Sequence, residues 1–534
     1  MEPTSLFEMM KKIRLYICCA LLSVLASSCQ DALELTPQDY FGDSNFWQNE
    51  SQVNNFMVGL HKQFRDNQFQ FLRLGEMRGG NYSTVDRQAT SLNELPVIEQ
   101  RLEETSSGVS NWGGFYGPIL QLNLFIQKVE AISFLPETRK IYLLGQAYAM
   151  RAYYYFHLLR TYGGVPLVLE ADVLNGTTDA VQLRKARAAE ADVLAAIKAD
   201  VTKSISLFGA QTAVTDKSQW SPNAALMLKG EVFLWSAKVY GTTADLAEAK
   251  TALNAVTGST LLPGFANVFA YGQKNNSEII FAIRFRVGEA EMGNVAAYTY
   301  STFNFNGLHY KDSTVSAGVG NFLVDPLVLA APNSMQVIQR YAYTFELFQS
   351  YDVADSRRNA TFYDFYKVNT DVKPYAVTIK NTALVKFLGT IDANKRYFSD
   401  DWPVYREADR LLMLAEIVNA EGGDPTAFIQ PVRDRAYAPA KDPKPFKNAG
   451  KDANELAIFE ERTKEFVHEG KRWYDLRRMK FGAEPLIFKS ARHPYGLLDK
   501  ATQAYRILWP VEAAIWTNDP LVAQTPGYQT ARPN

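Results

Sequence analysis

Cysteine is scarce in this chain of 534 residues: Cys18, Cys19 and Cys29 lie inside the first thirty positions, and positions 30–534 have none. A disulfide framework or a Cys-x-x-Cys metal or redox motif is thereby excluded from the body of the protein. Histidine is nearly as rare. His61, His157, His309, His468 and His493 are scattered, and there is no P-loop, Gly-x-Ser-x-Gly or His-Glu-x-x-His, so metal or triad catalysis has no local support. Neither sign of charge predominates. Lysine plus arginine total 56 and aspartate plus glutamate 57, for a net charge of −1. Without a general cationic field, nucleic-acid binding is excluded as the main task.

The 47% hydrophobic and 21% charged residues describe an ordinary globular chain. Its length allows about three domains of roughly 150 residues, or one composite fold. Aromatic residues reach 13%, including 28 tyrosines, and in a helical protein most such rings belong to the core.

The first segment reads as a secretory signal. Lys11, Lys12 and Arg14 form a basic flank, Leu15 to Ala26 a twelve-residue apolar stretch, and Ser27-Ser28 a small-residue cleavage site. That stretch is too short for a bilayer, which needs about 20 residues. Cleavage before Cys29 would make it the first residue of the mature chain, and the segment resembles a lipobox. The alternative is a secreted protein with one unpaired thiol. Acylation at Cys29 would tether the protein to a membrane, each buried methylene contributing about 0.8 kcal/mol. The expected divisions are a signal peptide over 1–28, a lipidated tether over 29–45, and helical regions over 46–265 and 266–534 packed as one composite domain.

From Phe46 onward the periodicity is mostly helical. Pro136-Glu137 opens a helix whose apolar positions Ile141, Leu144, Tyr148, Ala152, Tyr155 and Leu159 recur every three or four residues, and Gly163-Gly164 ends it. Gly145, Ala147, Ala149 and Ala152 would admit a neighbouring helix closely. Ser221-Pro222 starts a second helix to Tyr240, which breaks at Gly241 and resumes from Ala244 to Val256. A third pair is expected from Trp402-Pro403, breaking at Gly422-Gly423, with Asp424-Pro425 capping a return that Pro431 interrupts. Trp112 to Ile132 adds a helix, with Trp112 as a packing residue. Helix pairs of this length resemble tetratricopeptide units, whose period is 34. The fold class is therefore mostly α, with long loop and short-strand excursions over 64–111 and 258–400. Strand-like patches fall at Glu278 to Phe285 and Ala376 to Phe387.

Two constellations could carry chemistry. Glu461, Glu465 and Glu469 recur every fourth residue among bases, after an Asp452-x-x-Glu455 capping box, and read as an ion-paired structural helix instead of facing catalytic carboxylates. The excursions hold the better candidates. A sugar offers an apolar C–H face and a rim of hydroxyls, so its site wants flat rings beside Arg, Asn or Asp. Arg78, Asn81, Tyr82, Asp86 and Arg87 in the first excursion fit that description, as do Tyr298, Tyr300, Phe303, Phe305, His309 and Tyr310 in the second. No cofactor and no metal is expected.

Several stretches, taken in order, carry a family resemblance: Ser44-Asn-Phe-Trp-Gln48, Asn111-Trp-Gly-Gly-Phe-Tyr116, Ala149-Met-Arg-Ala-Tyr-Tyr154 and Tyr162-Gly-Gly-Val-Pro-Leu167. They continue through Arg406-Glu-Ala-Asp-Arg-Leu-Leu412, Glu461-Arg-Thr-Lys-Glu-Phe466, Glu469-Gly-Lys-Arg-Trp-Tyr-Asp-Leu476 and Ile507-Leu-Trp-Pro510. The chain resembles a SusD/RagB-type outer-membrane lipoprotein over nearly all of its mature length. The resemblance implies a SusD-like helical fold with tetratricopeptide-like units and a non-catalytic role at the cell surface. It further implies a SusC-like TonB-dependent transporter as partner, over which the protein closes as a lid. The implied ligand is an oligosaccharide or, as in RagB-like members, a peptide. A secreted glycoside hydrolase and a purely structural lipoprotein are the remaining alternatives.

Overall fold

The computed structural model describes residues 8–14, 16, 46–84, 94–105, 112–172, 177, 179–209, 216–298, 309–310, 339–369, 371 and 376–528. The chain divides into units 1–55 and 56–534. Cys29 and the expected tether lie outside the described residues, as do Asp86, Arg87, Tyr300, Phe303 and Phe305.

The larger unit is built mainly from helices packed on their neighbours in sequence. Glu137–Tyr162 packs against Gly113–Ala131 and Glu190–Phe208, and Pro222–Val239 against Asp245–Ala255. Local chemistry fixes several boundaries. The Ser221 side chain accepts a hydrogen bond from the Ala224 amide at 3.2 Å, directly before Pro222 at the first helical position. Gly163, at φ 76°, ends the Glu137–Tyr162 helix. Small residues set the approach of neighbours: a Cβ on Gly145 would come 3.0 Å from the Phe208 ring, and the Ser204 hydroxyl donates to the Gly145 carbonyl at 2.7 Å. Trp112 is buried against Tyr116 and Tyr162, a packing role.

Two expectations are corrected here. Trp402-Pro403 does not begin a helix. Trp402–Arg406 is a fully buried strand, antiparallel to Ile279–Ile283, and the helix occupies Glu407–Ala420. The strand exists because a partner far away in sequence accepts it, which no local signal conveys. Pro431 does not interrupt the return helix either, since Thr426–Ala436 runs through it. The strand-like patch at 376 is part of the longer excursion sheet, ordered His309–Tyr310, Phe362–Asn369, Ala376–Leu384.

The glutamate-rich helix is also redrawn. It spans Lys451–Glu465 with Gly450 as N-cap, so the expected capping box does not form. Asp452 instead accepts from the Gly482 amide at 3.0 Å, and Glu455 pairs with Lys238. Glu469 lies beyond the helix end. The glutamates are buried and find their cations in other elements: Glu465 meets Arg406 at 2.6 Å and Arg357 at 2.9 Å, and also pairs with Arg435. Arg406 and Arg435 share Glu278 at 2.9 and 2.8 Å, which ties the strand at 279 into the same network. Such a network stabilises only when complete, because a lone buried charge is costly.

Candidate functional site

The first excursion reaches the site through a π-helical turn over Arg73–Met77, a distortion that recurs at functional sites. It then runs antiparallel to residues 342–344: the Ser83 amide donates to the Ala342 carbonyl and the Thr344 amide to the Asn81 carbonyl, both at 2.8 Å. This pairing brings together two of the aromatic candidates. Tyr82 stacks on Tyr343 with centroids 4.7 Å apart, and its hydroxyl lies 3.2 Å from that of Tyr298 and 3.1 Å from that of Tyr343. The Tyr343 hydroxyl in turn reaches Nδ1 of His468 at 3.2 Å and Glu76 at 3.4 Å.

Exposed rings for sugar stacking are not what Tyr82 and Tyr298 provide. Only 5% and 1% of their surfaces face solvent, and burial pushes both phenols well above the usual tyrosine range. They form a hydrogen-bonded floor, which is how a buried tyrosine satisfies its polar end. Beneath it, burial raises the Glu76 carboxyl to about 7, against the opposing amide of His468. Arg78 likewise departs from its expected role. It is fully buried over the Trp473 ring at 3.9 Å, with Nε donating to Gln100 at 2.9 Å and Nη2 to the Arg506 carbonyl. His309 and Tyr310 form a short strand paired with Lys367 and Tyr366.

Asn81 does line a cavity. About 500 Å³ in volume, it is bounded by Gly79-Gly80-Asn81, by Thr344, Glu346 and Leu347, by Glu460, Thr463, Lys464 and Arg472, and by Pro494, Tyr495 and Leu497. That volume lies within the roughly 300–1,000 Å³ typical of ligand pockets. The paired glycines shape one wall. A Cβ on Gly79 would come 2.4 Å from the Arg472 side chain, and Gly80 adopts φ 76° against Leu497. The half-buried Tyr495, also lining the cavity, packs on Phe459 with centroids 4.8 Å apart, and its hydroxyl donates to the exposed Glu460 carboxylate. The cavity thus offers one ring, one amide, carboxylates and cations around a backbone loop.

Sequence reasoning missed most of these groups because they belong to stretches read as architecture. Glu460, Thr463 and Lys464 sit three and four residues apart on the face opposite the buried Glu461 and Glu465. The one local signal was Pro494-Tyr495-Gly496, a turn carrying a ring. Among the described residues no cluster of side chains suits a metal ion, and no helix is long and apolar enough to cross a membrane.

A helical scaffold thus carries a polar cavity with a single ring beside its excursions, and known proteins place the fold. Residues 32–234 match the family described as starch-binding associating with outer membrane, and residues 380–528 match the SusD family. A solved SusD superfamily protein from Bacteroides fragilis is 35% identical, with a TM-score of 0.81, covering 91% of this chain and all of that one. The SusD-like protein P38 of Formosa agariphila is 26% identical over 94% of this chain and 96% of its own. A structure titled laminarin binding SusD-like protein shares the fold at 20% identity and TM-score 0.65, covering 90% of this chain and all of that one. The chain belongs to the SusD family.

Proposed function

We propose that this protein is a non-catalytic glycan-binding component of an outer-membrane nutrient importer, holding its ligand in the cavity between Asn81 and Tyr495. The observation that carries the reading is the composition of that cavity: a half-buried ring beside an amide, a guanidinium and carboxylates, on the scaffold of a family described as starch-binding. A ring takes the C–H face of a sugar, and the polar groups take its hydroxyls. The laminarin-binding neighbour supports carbohydrate as the ligand class.

Cleavage after Ser28 and acylation at Cys29 anchor the chain at the outer membrane, facing outward. A SusC-like TonB-dependent transporter is the partner that receives the ligand, with this protein as its lid.

Calorimetric titration of the full-length, detergent-solubilised protein with oligosaccharides and peptides tests the binding role. Saturable glycan binding without release of reducing sugar is expected. Because Glu346 and Glu460 both line the cavity, steady reducing-sugar release that disappears in E346Q or E460Q would replace the binding role with a hydrolytic one. Binding of peptides alone would replace the glycan with a peptide cargo.

A further inference from the structure

We infer that Arg472 is the specificity-determining residue of this cavity and that the ligand it selects carries a carboxylate, as an acidic sugar does. The inference rests on the glycan reading above and goes beyond it by naming the charge of the ligand.

Buried arginines in this protein normally have a carboxylate partner. Arg357, Arg406, Arg435, Arg462 and Arg478 are all buried, and each donates to carboxylates. Arg472 is only 9% exposed, yet its partners are neutral: Nε donates to the Gly79 carbonyl at 3.2 Å and Nη1 to the Thr463 hydroxyl. Its guanidinium lies 4.1 Å over the Phe459 ring. Among the described residues it makes no ion pair, and Nη2 makes no hydrogen bond.

The acids that influence it are engaged elsewhere. Asp475 accepts from Arg462 at 2.8 Å and Arg478 at 2.9 Å. Glu76 accepts the amides of His468 and Gly470 at 3.1 and 3.2 Å. Burial accordingly lowers Arg472 to about 10, Asp475 and Glu76 opposing. Arg78 and Arg477 also lack carboxylates, but both are packed on tryptophan rings, Trp473 and Trp235. Of these three, Arg472 is the one that lines the cavity. A guanidinium largely withdrawn from water, held at Nε and Nη1 by neutral partners and short of an anion, gains most from a ligand carboxylate.

The remaining charges of the cavity are consistent with this. Half-buried Lys464 adds a second cation, without an ion pair among the described residues. Glu460 is taken up by the Tyr495 hydroxyl, and Glu346 is exposed to water that screens it. Gly79 has a defined part, since any side chain there would displace the Arg472 stem.

The test uses the full-length protein in detergent. It is titrated with trigalacturonate, an alginate trimer and cellobiouronate, each beside its methyl ester, and with neutral laminaritriose and cellotriose. Esterification keeps the sugar's shape and removes its charge. At least one acid is expected to bind about tenfold or more tightly than its ester, and R472M, which keeps the aliphatic stem, to bring that ratio within about twofold of unity. Equal affinity for acid and ester, or a ratio that survives R472M, overturns the inference. Binding confined to neutral sugars also overturns it while leaving the glycan reading intact, whereas binding of no sugar overturns both. Should R472M fail to fold, R472Q, which keeps a polar side chain without the charge, is read on the same criterion: a ratio brought within about twofold of unity supports the inference, and an unchanged ratio rejects it.

Discussion

Glu465 and Arg406 stand 59 positions apart in sequence and meet at 2.6 Å in the interior, each almost wholly shielded from solvent. They belong to two of the stretches by which the family resemblance is carried. These stretches are therefore not independent helix signals: each supplies the counter-charge of the other. Arg435 and Arg357 complete the set around Glu465. Withdrawing the carboxylate would leave three guanidinium groups facing one another, so E465Q is expected to cost about 3–5 kcal/mol of stability, the range found when one partner of a buried pair is removed. Chemical denaturation of the two proteins measures it. A loss under about 1 kcal/mol would mean that the remaining acids, Glu278 and Glu469 with Asp355 and Glu461 on Arg357, suffice.

Acid should unfold the protein through this same network. Burial alone would raise the Glu465 carboxyl, but Arg435, Arg406 and Arg357 hold it well below the ordinary range. Arg478 and Lys238 overcome burial to bring Glu416 to about 2, and Arg160 and Lys471 do the same for Glu231. A carboxyl depressed on folding contributes stability that is fully present above its unfolded value near 4.5 and disappears as pH falls toward its folded value. The melting temperature should therefore drop steeply between about pH 4.5 and pH 2. In E465Q that drop should be shallower, because one of the linked protons is gone.

How much of this was legible beforehand depended on whether the cause was local. Ser221-Pro222 and Gly163 announced helix ends because capping needs only adjacent residues. Trp402–Arg406 looked like a helix start because its strand partner, Ile279–Ile283, is more than a hundred residues away. The rings of Tyr82 and Tyr298 sit in loop-rich excursions and so read locally as platforms for sugar, yet the fold turns them onto each other and onto Tyr343. Arg472 was hidden by the opposite effect. Its stretch is architectural on one side, and only the folded chain reveals that the Arg472 side chain borders a cavity.

Two tyrosines should consequently respond in opposite ways. Tyr298 is buried and hydrogen-bonded, so Y298A is expected to cost about 3–5 kcal/mol, the range for emptying a large aromatic site. Tyr495 is half-buried at the cavity wall, so Y495A should weaken glycan binding by about threefold to tenfold, one ring contact being worth roughly 0.5–1.5 kcal/mol. Its melting temperature should change little. Calorimetry beside thermal unfolding separates them, and a Y495A protein with undiminished affinity would remove that ring from the ligand's path.

The anchor is tested independently of the site. C29A should abolish acylation, detected as loss of the lipid mass on the mature chain, and release the protein from the membrane fraction into the aqueous phase of a detergent partition. Two acyl chains are needed for stable anchoring, so the shift should be nearly complete. A C29A protein that still partitions with detergent would place the attachment elsewhere.

Glu76 offers a pH dependence of the opposite sign. Its carboxyl is raised to about 7, chiefly by burial, so the folded state holds a proton that the unfolded chain releases near 4.5. Between those values the folded state binds more protons, and stability attributable to this group falls as pH rises, levelling off above about 7. E76Q keeps a neutral side chain at every pH and so lacks this term. Relative to the parent, E76Q should gain stability steadily from about pH 4.5 to 7 and hold a constant difference beyond. Denaturant midpoints collected across that window give the difference directly. A flat difference would mean that Glu76 stays ionised beneath the tyrosine floor, with the amides of His468 and Gly470 outweighing its burial.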